Sequence, residues 1–319
     1  MSTDWPYRVR KRVDQNGICL CTENELPDWH FQHRQLHSGY RYCASAKSAV
    51  ISLTYWHNES INIWSHYIVT VYLLCRLTLR LKHFKENFQN EYPSLDVIIL
   101  FVVCLFGCVL PMLTSAVCHN FYCISRQHHK FCWFFDFFGI LSSMGWQSIG
   151  FVYFNYYEKP LIQFFLIFYI IICYFLAFIW CYMKYSKRII RKKLIPKDRF
   201  PEFSASLKIF GVICVTIPQI LVWITEYARF FDCAAHFQLL TRYSLYPIFS
   251  IVGILLFAQG SFPERFHKLI GVDEFFFDML GHSHQIWHFF SAISITMALD
   301  AVLDQFEMTS LLQNICPNI

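Results

Sequence analysis

Ser115, His119, Asp136, His284 and His288 are polar residues set in stretches that read as membrane-embedded. A metal-ligating residue type is costly in hydrocarbon, so an intramembrane histidine cluster marks a functional site. His284 and His288 stand four residues apart, on one helix face, and can grip one ion together. His119 supplies a third imidazole. Three neutral imidazoles with one open position make a zinc arrangement suited to chemistry, and such a zinc brings the pKa of bound water to about 7. Asp136 is the carboxylate that would hold or deprotonate that water. Ser115 lies one turn before His119 on the same face and would support the site from behind. Taken singly, a histidine at a span end reads as an interfacial hydrogen-bonding residue. The four-residue spacing and a shared depth favour zinc.

A second constellation is Glu59, Asn62 and His66, at i, i+3 and i+7 on one helical stripe. These three are expected to hydrogen-bond neighbouring helices and hold the bundle together. His66 is also placed to approach the metal or a substrate.

The elements that must position these residues are transmembrane helices. Hydrophobic residues make up 55% of the chain and charged residues only 15%, which points to a polytopic membrane protein rather than a soluble domain. A span needs roughly 20 apolar residues. Seven are expected, at about 56–79, 96–118, 131–153, 161–183, 207–227, 242–260 and 283–303, so the fold class is an all-α seven-helix bundle. Pro111, Pro218 and Pro247 fall inside spans two, five and six and predict kinks there. Lys and Arg concentrate before span one and between spans four and five, which predicts a cytoplasmic N-terminus and an extracellular C-terminus. The net charge of +5 follows the membrane in this way and gives no sign of a nucleic-acid partner. With this topology His119 ends span two, Asp136 opens span three and His284 opens span seven. All then lie near the cytoplasmic leaflet.

Three segments are expected: residues 1–48, cytoplasmic and polar with room for a short juxtamembrane helix; residues 49–304, the bundle; and residues 305–319, a short tail. No signal peptide is expected. The 14 cysteines are scattered, as buried thiols in a reduced setting would be. Cys316-Pro-Asn-Ile319 lacks the aliphatic pair of a prenylation box. The sequon at Asn58 sits at the cytoplasmic edge and is discounted. Asp300 and Asp304 lie late in span seven, and Asp300 is about 18 Å from His288 along the helix, too far for the zinc site. They read as an interfacial acidic end, with Arg229 or Arg242 as the available partners.

In order along the chain stand Glu59-x2-Asn62-x3-His66, Ser115-x3-His119 with Asp136, and His284-x3-His288. This ordered set resembles the progestin and adipoQ receptor family, across roughly residues 36–304. Gly39-Tyr40-Arg41, Ser45-Ala46, the run His57 to Trp64 and Asp300 look most like the membrane progestin receptor branch, and Gly281 to Gln285 resembles the family's approach to span seven. The segment His267 to Phe277 departs from it in lacking a Pro-Gly. The resemblance implies zinc on His119, His284 and His288 with Asp136 positioning a water. It implies a plasma-membrane protein that binds a steroid or other lipid and signals without the nucleus, through a G protein or through ceramide. The alternative it carries is a zinc-dependent intramembrane hydrolase, similar to a ceramidase, which frees fatty acid from ceramide. A third reading is a regulator of zinc homeostasis or membrane fluidity.

Overall fold

The structure, a computed structural model, describes residues 4–30, 36–87, 94–191, 219–228, 237–259, 262–273 and 275–315. Along these run α1 (Tyr7–Arg10), β1 (Ile18–Cys21), β2 (Tyr40–Cys43), α2 (Ala46–Ile51), α3 (Ser60–Asn87), α4 (Ser94–Cys104), α5 (Leu110–Phe121), α6 (Arg126–Asn155), α7 (Pro160–Arg191), α8 (219–228), α9 (Phe237–Gln259), α10 (His267–Ile270), α11 (Phe276–Met279) and α12 (Ser283–Ile315). Helices dominate, and the chain is a helical membrane protein.

Three of the described helical stretches are long and apolar enough to cross a membrane: Leu95–Phe121, Pro160–Ile179 and Ser283–Thr309. They coincide with the expected spans two, four and seven. The helices α3, α6 and α9 lie where spans one, three and six are expected, but carry more polar side chains. Of the expected span five, residues 207–218, with Pro218, lie outside the described residues; the remainder is α8. Only 17% of the apolar window of α7 is buried, against 50% for α4–α5, so α7 stands at the rim of the bundle.

Pro111 shapes the second span. A proline has no N–H and its ring crowds the carbonyl four residues back, here Gly107. The chain answers with a wide π-type turn over Leu105–Val109 between α4 and α5. The Gly107 carbonyl accepts hydrogen bonds from Ser143 Oγ at 2.7 Å and Gln147 Nε2 at 2.8 Å on α6, and Phe106 O accepts from Ser142 Oγ at 3.2 Å. A side chain at Gly107 would meet the Gln147 backbone at 3.2 Å, so the missing Cβ is what admits α6 this closely. Pro247 lies inside α9, where the neighbouring Tyr246 carbonyl accepts from Ser294 Oγ at 2.8 Å.

The N-terminal segment, expected to be polar with room for a short helix, carries a pair of strands as well as α1 and α2. Strands β1 and β2 pair antiparallel, with Ile18 opposite Cys43 and Cys21 opposite Tyr40. The turn that leads into β1 is closed by Asp14, whose carboxylate accepts the Tyr55 hydroxyl and the Asn16 and Ile18 N–H groups. The Tyr55 hydroxyl and these backbone donors hold the Asp14 carboxyl below the usual range. Trp5, Val9, Leu26, Leu36, Tyr40 and Tyr42 form a small core that also takes in Phe277. The reason is composition: the segment holds enough aromatic side chains to bury a face of its own against the loop before α12.

At the other end, Asp300 and Asp304 are not a bare acidic rim. Asp300 pairs with Arg76. Arg80 reaches Asp304 and Glu307, each at 2.8 Å, and Arg242 reaches Asp304 at 2.5 Å. Of the two partners expected, Arg242 is used and Arg229 lies outside the described residues. Arg76 and Arg80 sit on α3 and tie it to α12, and Asp304 links both helices to Arg242 of α9. Helix α12 continues to Ile315, through much of the expected tail.

Asp304→Ala leaves Arg80 and Arg242 partly buried and short of an acceptor. It is expected to lower stability by at least about 1 kcal/mol, read as a fall in the unfolding temperature of the detergent-solubilised protein. Adding Arg242→Met should restore part of the loss.

Candidate metal centre

The end of α5 and the start of α12 meet beside α3. An α-helix puts i and i+4 on one face, so α12 presents His284 and His288 together. The last turn of α5 presents His119. All three are buried, at 4%, 6% and 2% exposure. His284 Nε2 lies 3.4 Å from His119 Nε2 and 3.1 Å from His288 Nε2. One nitrogen from each ring falls within 4.8 Å of the other two, and among the described residues this is the one His/Cys/Asp/Glu group so arranged.

The hydrogen bonds behind the rings say which nitrogens face the cluster. His119 Nδ1 is 2.8 Å from Glu59 Oε2. An ionised carboxylate only accepts, so Nδ1 carries the proton and, in the neutral ring, Nε2 turns a lone pair inward. Glu59 in turn accepts from Asn62 Nδ2 at 2.8 Å and from the Tyr122 hydroxyl at 3.2 Å. His288 Nδ1 is 3.1 Å from His66 Nδ1, on the side of the ring away from His284. A carboxylate behind a ligating histidine, as Glu59 stands behind His119, is a recurrent arrangement in metal sites.

The donor set fits a small divalent cation. Metal–nitrogen bonds of 2.0–2.1 Å in a tetrahedron place neighbouring ligand atoms about 3.3–3.4 Å apart. The nitrogen separations of 3.1 and 3.4 Å from His284 lie close to that edge length. Inward lone pairs this close repel one another unless a proton or a cation lies between them. The buried group His119, His284 and His288 can therefore hold a metal ion.

Asp136, on α6, stands apart from this group. It lines a small cleft with Cys118, His119, Tyr122, Cys132 and Trp133, with room for about one water. Ser115 lies against Asp136, which is within electrostatic reach of His119 and Glu59. The structure thus places Ser115 and Asp136 beside His119, on the flank of the group formed with His284 and His288. It also brings Glu59, Asn62 and His66 there. Expected to hydrogen-bond neighbouring helices, Glu59 reaches His119 and His66 reaches His288, while Asn62 bonds Glu59 beside it. His66 touches His288 and is outside the group of converging nitrogens.

Tyr122 and Trp133 went unnoticed in the sequence, and Arg41 stood there as part of the family resemblance. Tyr122 lies three residues past His119, and its hydroxyl on Glu59 depends on the chain turning back after α5. Arg41 looked like one more cytoplasmic charge, yet it is 1% exposed and donates to the His119 carbonyl at 2.7 Å. Trp133, four residues after His129 and three before Asp136, carried no polar signal at all.

Replacing Glu59 by Ala frees the His119 ring and leaves Asn62 and Tyr122 without their acceptor. The expected outcome is divalent-metal affinity about 10–100-fold weaker, measured by competition with a chelator of known affinity. His66→Ala should weaken binding less, since His288 keeps its place on α12.

Residues 54–299 match the haemolysin-III related family. The chain is 28% identical over 295 residues to membrane progestin receptor gamma-A of Danio rerio, covering 88% of this chain and 81% of that one. It is 30% identical over 292 residues to the ADIPOR-like receptor IZH1 of Eremothecium gossypii, with the same coverage of 88% and 81%. It is 24% identical over 289 residues to heptahelical transmembrane protein 1 of Arabidopsis thaliana, covering 89% and 78%. The matched span starts before Glu59 and runs past His288, and the chain belongs to the haemolysin-III related family, that of the progestin and adipoQ receptors.

Proposed function

We propose that this chain is a seven-span plasma-membrane receptor of the progestin and adipoQ type, with a zinc ion on His119, His284 and His288 and a steroid or other lipid as its ligand. In this reading residues 1–48 are cytoplasmic, 49–304 form the bundle and the C-terminus is extracellular. The signal passes without the nucleus, through a G protein or through released ceramide. The observation that carries the zinc assignment is the convergence of three buried imidazole nitrogens with Glu59 behind His119. The ligand class is supported by the names of the relatives, which call one a progestin receptor and another an ADIPOR-like receptor. An apolar space between helices suits a steroid, a ceramide or an acyl chain.

A second reading, a zinc-dependent hydrolase that frees fatty acid from a ceramide-like amide, is favoured by the cleft beside Asp136. When bound, zinc supplies Lewis-acid activation. The chain supplies the rest. Glu59 orients His119, and His66 steadies His288. Asp136 takes a proton from the water that adds to the acyl carbon, then returns it to the departing amine. Ser115 keeps the carboxylate turned toward the cleft. The surrounding rings of Tyr122 and Trp133 restrict the cleft to that water.

Purified protein is expected to hold one zinc per chain, lost when His119, His284 and His288 are all changed to Ala. Full zinc retention in that triple variant would overturn both readings. Saturable progestin binding that survives Asp136→Asn supports the receptor. Fatty-acid release from ceramide that falls by at least about 100-fold in Asp136→Asn, with zinc retained, supports the hydrolase.

A further inference from the structure

The two halves of the histidine cluster come from helices 165 residues apart in sequence, and both are fastened to one short stretch of the N-terminal segment. On the α5 side the fastening is Arg41. Its guanidinium is buried at 1% exposure. Nη2 donates to the carbonyl of His119 at 2.7 Å and of Asn120 at 3.0 Å. Nη1 donates to Asn120 Oδ1 at 3.2 Å and to Ser52 Oγ. These are the last carbonyls of a helix, which carry its negative dipole end and have no helical donors of their own. A cation there both satisfies them and fixes the final turn, the turn that bears His119. Trp5 Nε1 adds a bond to Cys123 O at 3.1 Å, just past the helix.

On the α12 side the fastening is Asp278, 1% exposed, in the helix α11 that leads into the turn before His284. Its carboxylate accepts His37 N at 2.7 Å and Ser38 Oγ at 2.6 Å. Next to these, Gly39 O accepts Asn58 N at 3.0 Å, and Asn58 O faces His282 Nε2 at 3.1 Å. Gly39 has φ +76° and sits so close to Met279 that a Cβ would lie 2.9 Å from its sulfur. Residues 37 to 41 thus span from the α12 anchor to the α5 anchor. Arg41 is held in β2, so this span has a fixed length rather than a slack one.

We propose that residues 37–41 are a clamp on the metal centre, with Arg41 and Asp278 as positioning residues that set the separation of His119 from His284 and His288. The inference rests on the zinc reading above and adds a role for the N-terminal segment that neither the ligands nor the cleft requires. A buried arginine that merely stabilised the fold would change the unfolding temperature and leave the metal geometry alone. A positioning arginine changes the metal geometry and affinity.

The test uses the full chain in detergent, stripped with a chelator and titrated with Co²⁺, whose visible absorption reports tetrahedral coordination. Wild type is expected to give a tetrahedral spectrum. Arg41→Met and Asp278→Ala are expected to bind Co²⁺ about 10–100-fold more weakly, with a weaker and shifted band. Arg41→Lys, which keeps the charge but not the two-pronged geometry, should fall between. If Arg41→Met fails to fold, Ser38→Ala and Asp278→Asn ask the same question with smaller lesions. Asp304→Ala, at the far end, should lose stability yet keep the wild-type spectrum. Wild-type affinity and spectrum in every clamp variant would overturn the clamp alone. No Co²⁺ binding by wild type would overturn the zinc reading and the clamp with it.

Discussion

A carboxylate at the end of an apolar bundle must be fully hydrogen-bonded, because an unpaired buried charge costs several kcal/mol. Glu59 meets that constraint with three partners from two places in the chain: Asn62 on α3, and His119 and Tyr122 at and beyond the end of α5. Satisfying Glu59 therefore brings α5 against α3 in one register. It also decides which nitrogen of His119 turns inward. The geometry of the cluster follows from this choice, since His284 Nε2 is already aimed at that nitrogen from α12.

The bundle carries a second polar layer, about 18 Å farther along α12. There Arg76, Arg80 and Arg242 balance Asp300, Asp304 and Glu307. The two layers pin α3 to α12 at both ends, by imidazoles and a carboxylate at one and by ion pairs at the other. Between them the contacts are mostly apolar, with the wide turn before Pro111 docking α5 onto α6 through the Gly107 carbonyl. A helix pair fixed at two depths has little freedom to slide, which suits a site whose ligand atoms must converge within a few tenths of an ångström.

What was legible in the sequence was whatever local spacing encodes. His284 and His288 share a helix face by arithmetic, and Ser115 precedes His119 by one turn. Apolar runs located α4–α5, α7 and α12. What was not legible depends on tertiary pairing. Glu59 and His66 form a helical stripe in any helix, and nothing local says that their partners are His119 and His288. Arg76 and Arg80 look like interfacial charge until α12 lies alongside. Arg41 was hidden for the opposite reason: a lone arginine in a basic N-terminal stretch looks solvated, and only the docking of the strand pair shows its carbonyl partners. The strands themselves are four residues each, too short for an alternating pattern to stand out from the cysteine- and tyrosine-rich run around them.

Zinc-edge X-ray absorption of the purified protein tests the central claim most directly. The account predicts one bound zinc with three imidazole nitrogens and one oxygen at about 2.0 Å. Sulfur at about 2.3 Å, contributed by Cys118 or Cys132 in the cleft, or no bound zinc at all, would contradict it.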